Sequence, residues 1–354
     1  MALSLPHPYS VIGSLHSALA NEAKQVLHDA YVAAHASAAA QTPIALVPQE
    51  PDYVAELIKT GVPALAAAWK QHLAGHGLTI DILGVFVHQS PMVDFPDAAG
   101  TPKRCELGDL LLAVRFPSVP APSGVASLTQ AKMSPGTVST LAGTDQHHLY
   151  SIWPDFDLAR TSHAGIAIGP AADQGLLGEI SSFGPTTAGL PAADTWTTED
   201  FQSPGTTGNL QDILADLAAG VAGRPFSPFY GPRTPPTVGS PSAGAEWDFL
   251  IDYLLSVTFA KAFTRTRIGV SGQTRGIVVN AFSDGQVLRW EDDRLWSAAL
   301  HQSTPVNAEH VLQLVRTALE FSLLGRTGGQ LPLKDDEGPF EQGKGFGVIL
   351  ITIR

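Results

Sequence analysis

Hydrophobic positions along this chain follow a helical rhythm first and a strand rhythm afterwards. From about Ser14 to Ala40 an alanine-rich segment carries Leu15, Leu19, Val26 and Ala30 at i, i+4, i+11 and i+15, the stripe of an amphipathic helix. A second helical pattern spans Asp52 to about Leu73, with Asp52 as its cap and Ala55, Leu57, Ile58, Val62, Leu65 and Trp69 as apolar positions. Ile80–Val87 then reads as a strand, and Val93–Phe95 leads into a Pro-Asp-rich turn before Glu106. Two further apolar runs, Leu110–Phe116 and Val125–Met133, flank Pro117–Gly124, whose three prolines forbid helix and central strand alike. That arrangement predicts a β-hairpin.

Beyond the hairpin, Thr144–Leu158 reads as a short helix that ends before Pro154. Residues 161–245 are rich in Gly, Pro, Ser and Thr, with one helical island at Leu210–Ala222 and a proline-dense run at Pro225–Pro241. Long loops of this kind are functional or mobile more often than not. Order returns with a helix at Glu246–Ala262 (Trp247, Leu250, Ile251, Leu254, Leu255), strands at Arg275–Phe282 and Gln286–Trp290, a helix at Ala308–Leu324 and a last strand at Gly347–Arg354. The pattern is α/β without an internal repeat. It divides into a core at 1–160, a connecting region at 161–245, and an additional α+β region at 246–354 that either stands alone or completes the same domain.

Chemistry concentrates on the hairpin. Pairing Phe116 with Val125 sets Asp109 opposite Lys132 and Leu111 opposite Gln130, with opposed Cβ atoms about 4.5–5.5 Å apart. Strand alternation then puts Asp109, Gln130 and Lys132 on one face, and a slip of one residue would separate them. An acid, an amide and an ammonium so arranged can hold a divalent cation beside a phosphate. The plain alternative for Asp109 and Lys132 is a surface salt bridge worth about 0–1 kcal/mol.

An acid opening one strand, then Gln130-Ala131-Lys132 on the next, resembles the PD-(D/E)XK nuclease superfamily, in the Gln-x-Lys form similar to Mrr-type restriction enzymes. The resemblance covers residues 10–160. It implies a restriction-endonuclease-like mixed central sheet flanked by helices, Asp109 as metal ligand, Gln130 as the second metal-side residue, and Lys132 as the lysine that steadies the attacking water or the scissile phosphate. It implies Mg²⁺ as cofactor, with Mn²⁺ as substitute, and nucleic acid (DNA foremost) as substrate in bacterial defence. Gly108 stands where the family has proline, and Gln130 replaces the usual carboxylate.

One carboxylate and one amide bind magnesium sparsely, so a third acid is expected. Glu106 lies three residues before Asp109. Glu22 falls within the Leu15–Ala30 stripe at about 100° per residue, while Lys24, Gln25 and His28 fall outside it. An acid in a buried stripe needs a partner or a metal, and the family often has a glutamate on the helix before the sheet. Gln146, Tyr150 and Trp153 fall about a turn apart and can face a substrate, although core packing is the stronger reading of the two aromatics.

Composition narrows the classes. With 33 acids against 21 bases, a net charge of −12, the chain cannot gather nucleic acid by bulk charge, so any phosphate-binding surface is local. One window fits: Phe259–Phe282 holds Lys261, Arg265, Arg267 and Arg275 and no acid. Basic residues at a solvated helix end explain it equally well. A single cysteine excludes an intramolecular disulfide and suits a reducing cytoplasm. No apolar run approaches the roughly 18–20 residues of a membrane helix, and Met1–Tyr9 lacks the basic start of a signal peptide. His72 and His76 lack the glutamate of a zinc hydrolase, and there is no nucleophile elbow, phosphate-binding loop or dinucleotide fingerprint.

Three roles follow. The first is a Mg²⁺-dependent endonuclease. The second is a decayed nuclease fold that binds nucleic acid or protein. The third is a structural subunit whose Gly/Pro-rich region docks a second copy or another defence component.

Overall fold

The computed structural model describes residues 8–40, 48, 50–87, 91–117, 119, 123–133, 144–158, 167–168, 178–183, 196–200, 207–227, 247–251, 254–255, 278–282, 287–288 and 347–354. The expected helix at Ala308–Leu324, most of the proline-dense run and the cations Lys261, Arg265, Arg267 and Arg275 lie outside them. Three helices come first: α1 (Pro8–Ala39), α2 (Glu50–Glu56) and α3 (Val62–Ala74), the last two joined by a π-helical turn at Leu57–Gly61. The single helix expected from Asp52 is therefore two. Asp52 lies inside the first turn of α2 rather than capping it. The π turn sits where Gly61 meets α1: a Cβ there would fall 2.8 Å from the Leu57 side chain, with Val26 and Ala30 behind it.

Strands β1 (Ile80–Val87), β2 (Met92–Pro96), β3 (Pro102–Glu106), β4 (Leu110–Arg115) and β5 (Gly124–Met133) precede α4 (Asp145–Ile152). Then follow β6 (Phe156–Leu158), β7 (Ala167–Ile168), β8 (Gly178–Phe183), β9 (Trp196–Asp200), β10 (Thr207–Asn209), α5 (Leu210–Ala219), β11 (Arg224–Phe226), β12 (Val278–Phe282), β13 (Val287–Leu288) and β14 (Gly347–Ile353). The large sheet runs β10-β9-β8-β5-β4-β14-β1-β12-β13, with β11 beside the first half of β5. It is mixed: β14 is parallel to β4 and β8 to β5, while β4–β5 and β1–β14 are antiparallel. A smaller sheet runs β3-β2-β6-β7. The turn expected before Glu106 is thus a hairpin. Asp97 closes it by accepting from the backbone N–H groups of Ala99 (2.9 Å) and Thr101 (2.8 Å), and these bonds hold its carboxyl below the ordinary range.

The sheet is covered on both faces. On one, Leu110, Leu112, Val114, Ile349 and Ile351 pack under α1, α3 and α5. Trp69 of α3 ties this layer by donating its indole N–H to the Leu19 carbonyl at 3.0 Å. On the other, Leu111, Ala113, Leu128, Val348 and Leu350 pack against the small sheet, α4 and the helical residues 247–251 and 254–255. An α/β layer architecture is the result. Segments far apart in sequence share its large sheet: β8–β11 come from the Gly/Pro-rich region, and the terminal β14 lies between β4 and β1.

The hairpin register departs from the expected one by two residues. Arg115, not Phe116, pairs at the loop end, opposite Gly124, and the Phe116 N–H donates to the Ser123 carbonyl at 2.7 Å. Gly124 belongs to the strand because Phe226 of β11 lies across it. A Cβ there would meet the Phe226 ring at 2.6 Å and the Val114 carbonyl at 2.9 Å. Gly124→Ala is therefore expected to lower stability by about 1–3 kcal/mol through overpacking, read as a lower urea midpoint at unchanged slope.

On the α1–α2 contact, the Tyr53 ring stacks on Tyr31 (centroids 5.0 Å apart) and its hydroxyl lies 3.0 Å from His35 Nε2. Burial pushes the Tyr53 phenol up and the His35 imidazole down, so that a neutral phenol lies beside a neutral ring. As pH falls below the ordinary histidine value of about 6.5, the unfolded chain takes up this proton before the folded one, and stability declines. Above that value the group contributes no slope. His35→Gln, which keeps a neutral hydrogen-bonding group beside Tyr53, should flatten the stability curve between pH 7 and pH 5 in chemical denaturation.

Candidate functional site

The site lies where the chain leaves the small sheet for the large one. β3 ends at Glu106, β4 begins at Leu110, and Leu107-Gly108-Asp109 makes the crossing. Such a crossing takes backbone groups off both ladders, and buried ones need other partners. Leu107 donates to the Pro91 carbonyl at 2.9 Å, and its own carbonyl accepts the Tyr150 hydroxyl at 2.5 Å. Asp109 N–H donates to the Thr129 carbonyl at 3.0 Å, and the Asp109 carbonyl accepts from Gly347 N–H at 3.1 Å. The Asp109 carboxylate reaches across to β5, where Oδ2 accepts from Ala131 N–H at 2.8 Å.

Gln130 lies beside this carboxylate with its side chain fully buried. The observed register continues to bring Asp109 opposite Gln130 rather than Lys132. Because the slip is even, the two stay on one face. The Gln130 amide can be placed in two orientations, of which the second satisfies its neighbours. In the first, Nε2 donates to the Glu106 carbonyl at 3.3 Å, and Oε1 stands 2.9 Å from Asp109 Oδ2 and 3.2 Å from Gln146 Nε2. In the second, the nitrogen donates to Asp109 Oδ2, and the oxygen accepts from Gly108 N–H at 3.3 Å. Tyr150 adjoins both residues. Its phenol is held well above the ordinary value, first by burial and then by the Asp109 charge, with a hydrogen bond from Gln130 opposing the rise.

The other expected residues are placed as follows. Lys132 is located by its backbone alone, two positions beyond Gln130 and paired with Ser182 of β8. Glu106 meets the site through its carbonyl. Glu22 is not brought to it. Glu22 lies on α1, across the sheet from Asp109, and its side chain is 44% exposed with Oε1 3.3 Å from His72 Nε2. The buried face of α1 is centred on Ala20, Ala23, Leu27 and Ala34, and these alanines rotate Glu22 to its edge. Tyr150 and Trp153 are core residues as expected, packed edge-on to each other. The hydroxyl contact of Tyr150 with the crossing went unread in the sequence. The available signal was an aromatic with a polar tip one turn after Gln146.

No known family model matches the chain, and neither a curated protein nor a solved structure matches it.

A divalent cation needs several oxygen donors at once. Among the described residues no three His, Cys, Asp or Glu side chains converge. A cation here would be held by one carboxylate, one amide and solvent or phosphate oxygens, a set magnesium accepts because it keeps several waters. In the first amide orientation the two oxygens are 2.9 Å apart. Octahedral ligands at about 2.0–2.1 Å place neighbouring oxygens at about that separation. Only in that orientation could Asp109 and Gln130 be neighbouring ligands, and the other orientation is the one that its neighbours satisfy. The carboxylate also has a structural duty through Ala131. Asp109→Ala should cost about 1.5–3 kcal/mol, the worth of a hydrogen bond to a charged group, and Asp109→Asn less, as measured by thermal melting without metal.

Proposed function

We propose that this chain is a metal-dependent nuclease on a restriction-endonuclease-like version of its α/β fold, hydrolysing phosphodiester bonds in nucleic acid, with DNA as the first candidate. The observation that carries the reading is the Gln130 amide lying 2.9 Å from Asp109 Oδ2 across neighbouring strands, with position 132 sharing the strand parity of Gln130. Mg²⁺ or Mn²⁺ held by Asp109 and Gln130 would supply Lewis acidity toward a phosphate oxygen and a more acidic bound water. Asp109 is pre-set for this by the Ala131 N–H, which fixes its carboxylate before any ligand arrives. Lys132 then balances the charge that grows on the phosphate as water adds and the bond to the leaving oxygen breaks. Glu106 supports the site through its backbone, Glu22 has no part in it, and a cytoplasmic setting in bacterial defence belongs to the same reading. Among the described residues no helix is long and apolar enough to cross a membrane.

A second reading draws on a specific observation. In the other amide orientation Gln130 satisfies Asp109 and Gly108 without any cation, as a decayed nuclease fold retained for binding would require. Incubation of the protein with plasmid and oligonucleotides in Mg²⁺ or Mn²⁺ separates the two. Cleavage by the wild type, reduced about 10²-fold or more in Asp109→Ala and in Lys132→Ala, is the expected outcome. Cutting that survives both substitutions overturns the assignment, and retention of DNA without cutting favours the second reading.

A further inference from the structure

We propose that the slot between β1 and β4 is a strand-acceptor site for a second copy of this chain: two copies exchange β14, and Gly347 of each then holds the Asp109 backbone of the other. This inference concerns assembly and does not depend on the nuclease reading.

Among the described strands, β4 and β1 are joined in the large sheet through β14 alone. Without it each presents an open edge, and an open edge is a template for any matching strand. The slot itself is built early in the sequence, from β1 and the β4–β5 hairpin within residues 80–133. Hairpin pairing closes a short loop and forms readily. β14 instead pairs Gly347 with Leu110 and Ile353 with Ile80, and closes longer loops than any other pairing in the sheet. Loop closure on that scale is entropically costly, so this strand docks late. Until it docks, Gly347–Ile353, buried at every position in the finished sheet, is an apolar strand without charge or proline. Such segments seek open edges. A second copy offers the same slot and the same bonds. Both ends of the seat are specific: Gly347 N–H donates to the Asp109 carbonyl at 3.1 Å, Thr79 and Arg354 exchange backbone bonds at 2.8 and 2.9 Å, and the Arg354 guanidinium pairs with Asp81. Exchange preserves all of these and the register, so the closed and exchanged forms differ chiefly in chain entropy. The chain between Leu288 and Gly347 has the contour length to reach either slot. A neighbour's β14 therefore competes with the chain's own as protein concentration rises.

Thr79 and Arg354 are exposed and exchange both backbone bonds, which gives the test its handle. Residues so paired stand about 5.5 Å apart at Cα, within disulfide reach. In a full-length Cys105→Ser background, which removes the single natural cysteine, Thr79→Cys and Arg354→Cys are placed in one chain and, separately, in two. The doubly substituted chain should close a disulfide within itself and sets the oxidation conditions. The two singly substituted chains are mixed, unfolded in urea, refolded together and oxidised under those conditions. The expected product is a disulfide between copies, its share rising about in proportion to refolding concentration while monomer predominates. It should be lost when Ser17→Cys, on the exposed face of α1, replaces Thr79→Cys. Light scattering on the wild type refolded over the same range should show the matching dimer. Absence of the link between copies, a link formed equally well by Ser17→Cys, or a wild type that stays monomeric at every concentration overturns the inference.

Discussion

The constraint on which this molecule turns is the passage of the backbone between its two sheets. Three residues carry the chain from the end of β3 to the start of β4 in a buried setting, where an unpaired carbonyl or N–H costs about 1–3 kcal/mol. Secondary structure cannot satisfy all of these groups, so side chains do. Tyr150 takes the Leu107 carbonyl, Gln130 takes either the Glu106 carbonyl or the Gly108 N–H, and Asp109 spends one oxygen on Ala131. The polar residues of the candidate site are therefore structural residues first. Their chemistry is available because the fold has already fixed their positions.

The large sheet enforces that fixation from the other side. Every residue of β14 is buried, so this strand could only be interior, and it enters between β4 and β1. Its first residue, Gly347, donates to the Asp109 carbonyl, and a Cβ there would lie 2.5 Å from that same oxygen. Any larger residue would push β14 away from the crossing. Gly84 serves β1 in a comparable way, since a Cβ there would meet Val62 at 2.8 Å and Ile58 at 3.0 Å beside the π turn. Residues some 240 positions apart thus set the backbone of Asp109 together.

How much of this the sequence disclosed depends on the range of the interaction. Strands β1, β4, β5 and β14 and helices α1, α4 and α5 follow from local periodicity, which needs only near neighbours. The helix break at Leu57–Gly61 has its signal in Gly61 and in Pro63, which lacks the N–H of an i→i−4 bond, but the apolar period runs straight through it. Hairpin register escaped by two residues, since Gly124 reads as turn chemistry until Phe226, a hundred residues later, is laid across it. The even slip still kept Asp109 and Gln130 on one face. Glu22 failed for a different reason. Weighting Leu15 and Val26 above the small residues misplaced the centre of a face whose contacts are made largely by alanines. The Tyr150 hydroxyl was hidden because an aromatic in a core pattern says nothing about where its polar tip ends.

Gln130 gains its meaning from electrostatics rather than from its likeness to glutamate. A second carboxylate 2.9 Å from Asp109 in a buried setting would force one of the pair to hold a proton until a cation arrived. Cation affinity would then depend on pH. An amide removes that repulsion and the dependence with it. On the nuclease reading the amide would also provide less charge for a dication, so that binding would be weaker and lean more on phosphate oxygens from a substrate. In a chain of net charge −12 with 15% charged residues, no broad positive field compensates. Beyond a Debye length of about 8–10 Å such a field would in any case be screened. On the proposed reading, cation and phosphate must therefore enter the site together, each supplying the charge that makes the other's binding favourable.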